Sequence, residues 1–118
     1  MSPVIAAYVT NDRFDPALMA SAVGTTAADI AFTAGLGKDS VQRKDRVGTP
    51  KVQRRLRELS ELVARVAPSY GSEMMAYAWL RSHALPGFGG LTAMDLLQQG
   101  HADWVHESLS AAEAGIYQ

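Results

Sequence analysis

TPKVQRRLRELSELVARVAP, residues 49–68, decides the fold class of this chain. Val52, Leu56, Leu59, Leu62, Val63 and Val66 recur at the roughly 3.6-residue period of a helix, giving one apolar face on an otherwise charged segment. Thr49-Pro50 is a start signal, because proline in the first turn has no N–H to lose, and Pro68 reads as the stop. The same punctuation recurs on both sides. Asp15-Pro16 opens a short helix carrying Leu18, Met19 and Val23, which Gly24 ends. Thr26 with Asp29 makes a capping-box-like start for a second, which Gly35 stops. Gly37 to Val47 reads as a third, closed by Gly48. Ser72-Glu73 starts a helix with Met75, Tyr77, Trp79 and Leu80, and Thr92 with Asp95 starts one with Met94, Leu96 and Leu97, ended by Gly100. The last helix runs from about Ala102 to Ala114, and Gly115 precedes Ile116-Tyr117-Gln118. Only PVIAAYVT, residues 3–10, alternates with a period of two, as a short strand or an arm. The expected fold is all-α.

The chain has 118 residues, enough for one compact unit or two very small ones, and too few for a large catalytic cleft. Its composition, 47% hydrophobic and 19% charged, is that of a globular protein. No cysteine is present, which excludes disulfides and thiolate zinc sites and makes a reducing, cytoplasmic setting the expected one. The first residues lack the basic segment and long apolar run of a secretory leader, and no stretch approaches the ~20 apolar residues of a membrane span.

Charge is unevenly distributed. Residues 38–57 hold eight basic and two acidic side chains, a net +6, whereas residues 66–118 hold one basic and five acidic, a net −4. Two surfaces with different partners are expected, one of them a polyanion. In the basic half, AFTAGLGKDSV, residues 31–41, spaces Ala31, Gly35 and Val41 as a helix-turn-helix requires: a small residue at the crossing, a glycine for positive φ in the turn, and a branched anchor on the second helix. With Val41 inward, a continuous helix turns Asp39, Gln42, Arg43 and Arg46 outward, flanked by Lys38 and Lys44. Gln and Arg suit adenine and guanine edges in a major groove, while the lysines and the cluster Arg54, Arg55, Arg57 suit phosphates or stay in water. One such helix reads only a few base pairs, so a homodimer is expected. Against the pattern, Lys44 stands one turn past Val41, where a second apolar anchor is usual.

In the acidic half, AYAWLRSHALPGFGGLTAMDLLQQGHADWVHESLSAAEAGIY, residues 76–117, joins a tryptophan helix, a glycine-rich turn and two further helices. It resembles the toxin-binding domain of the Xre, MbcA and ParS antitoxins, matching at Trp79, Leu80, Leu85, Gly89, Gly90, Thr92, Leu96, Leu97, Gly100, Val105, Leu109 and Gly115. Leu91 replaces the family's usual Arg and Ala93 its usual Pro. The residues place an N-terminal arm over 1–13 and a boundary near Pro68 to Gly71, and with the resemblance the expected division is an Xre-like helix-turn-helix domain over 14–67 and a toxin-binding domain over 68–118. It further implies an antitoxin that blocks a RES-type, NAD-consuming toxin encoded beside it and represses its own operon, with no cofactor of its own. The residues expected to meet the toxin are Leu85, Phe88, Gly89, Gly90, Leu91, Ile116 and Tyr117. Read from the residues alone, the PGFGG turn can hold two helices close together, and Phe88, Trp104, Ile116 and Tyr117 are apolar anchors of the kind found at interface centres. Core filling is the competing role, and it is the expected one for Trp79 and Trp104.

No enzyme or metal site is expected. His101 and His106 are five residues apart, about 140° around a helix, and so share no ligand face. Asp103 with His106 reads as a surface pair one turn apart. GFGG lacks the lysine-hydroxyl ending of a phosphate loop, and no serine sits in a nucleophile elbow. The alternative function is a helix-turn-helix repressor whose second half dimerises or binds a small ligand.

Overall fold

A computed structural model describes residues 2–37 and 39–115 of the chain, with Lys44 described by its backbone. The described residues are mostly helical, with one two-stranded sheet. In chain order they form α1 (Pro3–Ala6), β1 (Val9–Thr10), β2 (Arg13–Phe14), α2 (Pro16–Val23), α3 (Ala27–Thr33), α4 (Asp39–Gln42), α5 (Lys44–Val47), α6 (Pro50–Tyr70), α7 (Glu73–Ser82), α8 (Ala93–Gln98) and α9 (Ala102–Glu113). The long helix α6 is the axis. It packs on α1, β2, α5, α7 and α9, while α2 meets α7 and α3 meets α8.

The alternation in PVIAAYVT does not make a strand of it. Ser2 Oγ accepts the N–H of Ile5 at 3.2 Å and Pro3 occupies the first helical position, so a helical turn forms as far as Ala6. Only Val9–Thr10 is extended, paired antiparallel with Arg13–Phe14 across Asn11 and Asp12, whose φ values of 52° and 62° make the tight turn that suits a twisted hairpin. Residues 2–13 are not a free arm either. Tyr8 is 1% exposed in the core, and burial, with the negative charge of Glu73, pushes its phenol up to about 12.

Helix α6 buries Val52, Leu56, Leu59, Leu62, Val63 and Val66, the face its periodicity predicts. Pro68 does not end it. The proline removes one late-turn donor, but the helix continues to Tyr70 and stops where Gly71, at φ 85°, donates its N–H to Ala67 O at 2.8 Å. The helix thus ends within the stretch Pro68 to Gly71 where a boundary is expected, and one hydrophobic cluster runs across it from Tyr8 through Leu56 and Leu80 to Val105. Across that cluster, Gly35 at φ 76° lies against α8 so closely that a Cβ there would stand 2.9 Å from Gln98 O.

The third helix expected over Gly37 to Val47 is two four-residue turns, broken at Arg43, which is extended at φ −102°, ψ 120°. Packing explains the break. Val41 and Val47 are six residues apart, about 240° around an unbroken helix, so only one of them would face the core. With the chain extended at Arg43, both line one groove of about 730 Å³ with Phe14, Pro16, Ala17 and Ala27. Among the described residues no helix is long and apolar enough to cross a membrane.

Candidate functional site

Two surface features carry the expected binding residues. The first is the basic segment around α4 and α5. Asp39, Gln42, Arg43 and Arg46 are all exposed, Lys44 begins α5, and Lys38 lies outside the described residues. Because the chain is extended at Arg43, the single outward helical face projected for Gln42, Arg43 and Arg46 is not formed. Arg43 Nε lies 3.8 Å from Asp45 Oδ1 with both side chains more than half exposed, a pair that contributes little in water. Thr49 Oγ1 donates to Arg46 O at 2.8 Å, joining this segment to the first turn of α6, where Lys51 and Arg54 are exposed.

The three arginines expected as a phosphate-facing cluster separate. Arg54 and Arg57 stay on the surface, Arg57 within 3.7 Å of Glu61. Arg55 turns inward, donating from Nη1 to Leu97 O at 3.0 Å and lying 3.7 Å from Glu58. Leu97 O, at the C-terminal end of α8, accepts the N–H of Gly100 at 2.9 Å, and the guanidinium adds a second, charge-assisted bond there. Arg55 is thus a helix cap rather than a phosphate contact.

The second feature is the turn between α7 and α8. Leu85 N donates to Leu91 O at 2.9 Å and Leu91 N to Phe88 O at 3.2 Å, closing the loop. Gly87, Gly89 and Gly90 have φ values of 84°, 62° and 92°, and a Cβ on any of them would meet nothing within 4 Å. Glycine is needed there for backbone sign, not for the close helix approach expected of PGFGG. Thr92 and Asp95 complete a capping box at the start of α8, with bonds of 2.9 and 3.2 Å.

Of the residues expected to meet a toxin, Leu85 is 4% exposed and fills the core, so its side chain is not on offer to a partner. Gly89 and Gly90 are exposed, Phe88 and Leu91 are half-buried, and Ile116 and Tyr117 lie outside the described residues. The tryptophans are not simple core fillers. Trp104 is 39% exposed, stacked on His101 at 3.6 Å and on Phe88 at 6.1 Å. Trp79 is half-buried between Tyr70 and His83, at 5.5 and 4.8 Å.

Two polar clusters escape a sequence reading because their partners lie more than forty residues apart. Asp29 gives its backbone N–H to the Thr26 cap, but its carboxylate turns away from the cap. There it accepts from Thr25 Oγ1 and Tyr77 OH at 2.8 Å each, and from Arg81 Nη1 at 3.1 Å. Thr33 Oγ1 lies 2.8 Å from the same phenol, and burial, reinforced by Asp29, pushes Tyr77 up to about 12. The network ties α3 to α7.

His106 does not pair with Asp103 but faces α6. Arg65 Nη1 donates to its Nδ1 at 2.9 Å and to its carbonyl at 3.1 Å, while Arg65 Nη2 donates to Ser110 Oγ at 2.8 Å and reaches both Glu113 oxygens at 3.3 Å. Accepting from a guanidinium requires a neutral ring protonated at Nε2. Burial and, after it, the Arg65 charge lower the pKa of His106 below its ordinary 6.5. The unfolded chain therefore takes up the proton first, and stability that is complete above 6.5 falls as pH drops below it. The urea midpoint should decrease from about pH 7 to pH 5, and His106→Gln should flatten that slope. A slope unchanged in the variant would show that His106 is not its source.

Among the described residues no three His, Asp or Glu side chains converge as a metal site would need. No family model matches the chain, and neither a curated protein nor a solved structure matches it.

Proposed function

We propose that this protein is an antitoxin of the Xre, MbcA and ParS kind, binding operator DNA through its basic segment and a RES-type toxin through its glycine turn. The observation that carries the proposal is the pairing of two surface features on one core: the exposed cations Arg43, Arg46, Lys51 and Arg54, and the half-open Phe88–Trp104–His101 stack. In this reading α3 and α4 are the helices of a helix-turn-helix. Ala31 is fully buried, Gly35 takes positive φ, and Val41 packs on the core, as those roles demand. Arg43, Arg46, Lys51 and Arg54 would face the duplex, with Gln42 nearest the base edges. The turn's role in toxin capture is supported by Phe88 standing half-open beside Trp104, aromatic anchors of the type that dominate interface energetics.

Co-expression with the product of the adjacent gene, followed by co-purification, tests the toxin half. A stable complex that relieves toxicity is expected; a neighbour that is harmless alone or fails to co-purify leaves a repressor without a toxin. For the DNA half, Arg46→Ala should weaken binding to the upstream region of its own operon by about 1 to 3 kcal/mol, read by anisotropy titration. Affinity that is absent or indifferent to salt removes the DNA assignment.

A further inference from the structure

Resting on the DNA-binding proposal above, we infer that Gln53 is a positioning residue of the nucleic-acid interface, setting where α5 and its cations stand without touching DNA itself. Gln53 is half-buried on the fourth residue of α6. Its Oε1 accepts the N–H of Phe14 at 2.8 Å and its Nε2 donates to the carbonyl of the same residue at 3.1 Å. The side-chain amide thus pairs with β2 as a neighbouring strand's peptide unit would, closing one edge of the hairpin. The second Nε2 hydrogen reaches Val47 O at 2.8 Å, the last carbonyl of α5. One amide uses both donors and its acceptor to fasten three elements.

Little else restrains that segment. Arg43, which caps α5, makes no side-chain cap bond, and helices of four residues are far below the length at which helical hydrogen bonding sustains itself. Val41 packs on the core only in part, and it and Val47 both line an open groove. The end of α5 is the exception, held by Gln53 on one side and overlain by the Arg13 guanidinium at Gly48 on the other. Arg46 and the first residues of α6 therefore keep their relative placement through Gln53 together with Thr49, whose Oγ1 and N–H both donate to Arg46 O, at 2.8 and 3.1 Å. Only a primary amide serves here, since a carboxylate has no hydrogen to give Val47 and a thioether has neither donor nor strong acceptor.

The test uses the full chain with Gln53→Glu and Gln53→Met, titrated against a fluorescein-labelled duplex from upstream of its own gene over a series of salt concentrations. Weaker binding is expected, with the log–log salt slope smaller by about one to two, the share of phosphate contacts that α5 supplies. Arg46→Ala should then cost much less in a Gln53 variant than in the parent chain, because the displaced arginine has already lost its contact. Hydrogen exchange of the free protein should quicken at Arg46 to Thr49 while the interior of α6 is unmoved. Parent binding with an unchanged slope and fully additive Arg46→Ala overturns the role of Gln53 alone. Exchange that quickens throughout α6 and α7 makes Gln53 a general stabiliser and overturns it too. A parent chain that does not bind the duplex overturns both this assignment and the DNA-binding proposal.

Discussion

Gly35→Ala is expected to destabilise the fold by about 2 to 4 kcal/mol, combining roughly 1 to 2 for a side chain in left-handed backbone with a similar overpacking cost. At φ 76° the added Cβ would stand 2.9 Å from Gln98 O and 3.0 Å from Gln98 Cα, and backbone cannot step aside as a side-chain end does. Thermal unfolding by circular dichroism should show the midpoint lowered by about 10 °C or more. Gly24→Ala is the internal control. Its φ of 79° carries the same backbone penalty, but the nearest atoms to the new methyl belong to the Met74 side chain, closest at its flexible end, Cε, at 2.9 Å. A loss of about 1 to 2 kcal/mol is therefore expected there. Equal losses at the two glycines would mean that the turn after α3 is not pressed against α8.

If the protein is the antitoxin proposed above, replacing both Phe88 and Trp104 by alanine is expected to weaken toxin binding by more than about 2 kcal/mol, at least 30-fold, and to leave DNA binding intact. Trp104 is 39% exposed and Phe88 half-buried, so their loss removes a surface stack more than a core, and folding should survive. The checks are toxin rescue in cells and calorimetry with the purified partner. A double variant that still neutralises would move the contact away from the turn. Leu85→Ala offers the opposite signature. Because that leucine is 4% exposed, it should lower the unfolding midpoint and affect partner binding only through stability.

The caps and turns that carry the candidate residues were legible locally, whereas the long-range bonds of several polar side chains were not. Asp29 sits in a capping position in sequence, and its N–H does bond to Thr26, yet its carboxylate serves Tyr77 and Arg81. Arg55 looks like one of three surface arginines, but it turns inward to Leu97 O, forty-two residues on, adding a bond to a carbonyl that also accepts the N–H of Gly100. His106 was paired with Asp103 one turn away, whereas Arg65, forty-one residues earlier, holds it. In each case the distant partner adds at least one hydrogen bond that local spacing cannot show, and for Arg55, Tyr77 with Asp29, and His106 that bond is part-buried.

The sequence by itself determined where most helices start and stop, because caps and glycine turns act within four residues: Asp15, Thr26, Ser72 and Thr92 each cap the helix that follows. It also determined the buried face of α6, since helical periodicity is a local property. Only the tertiary structure decided that Pro68 lies within α6, that the chain breaks at Arg43, and that Gln53 binds the hairpin to α5. Those outcomes depend on turning Val41 and Val47 toward one groove and on pairing peptide groups that are remote in sequence, which no local pattern specifies.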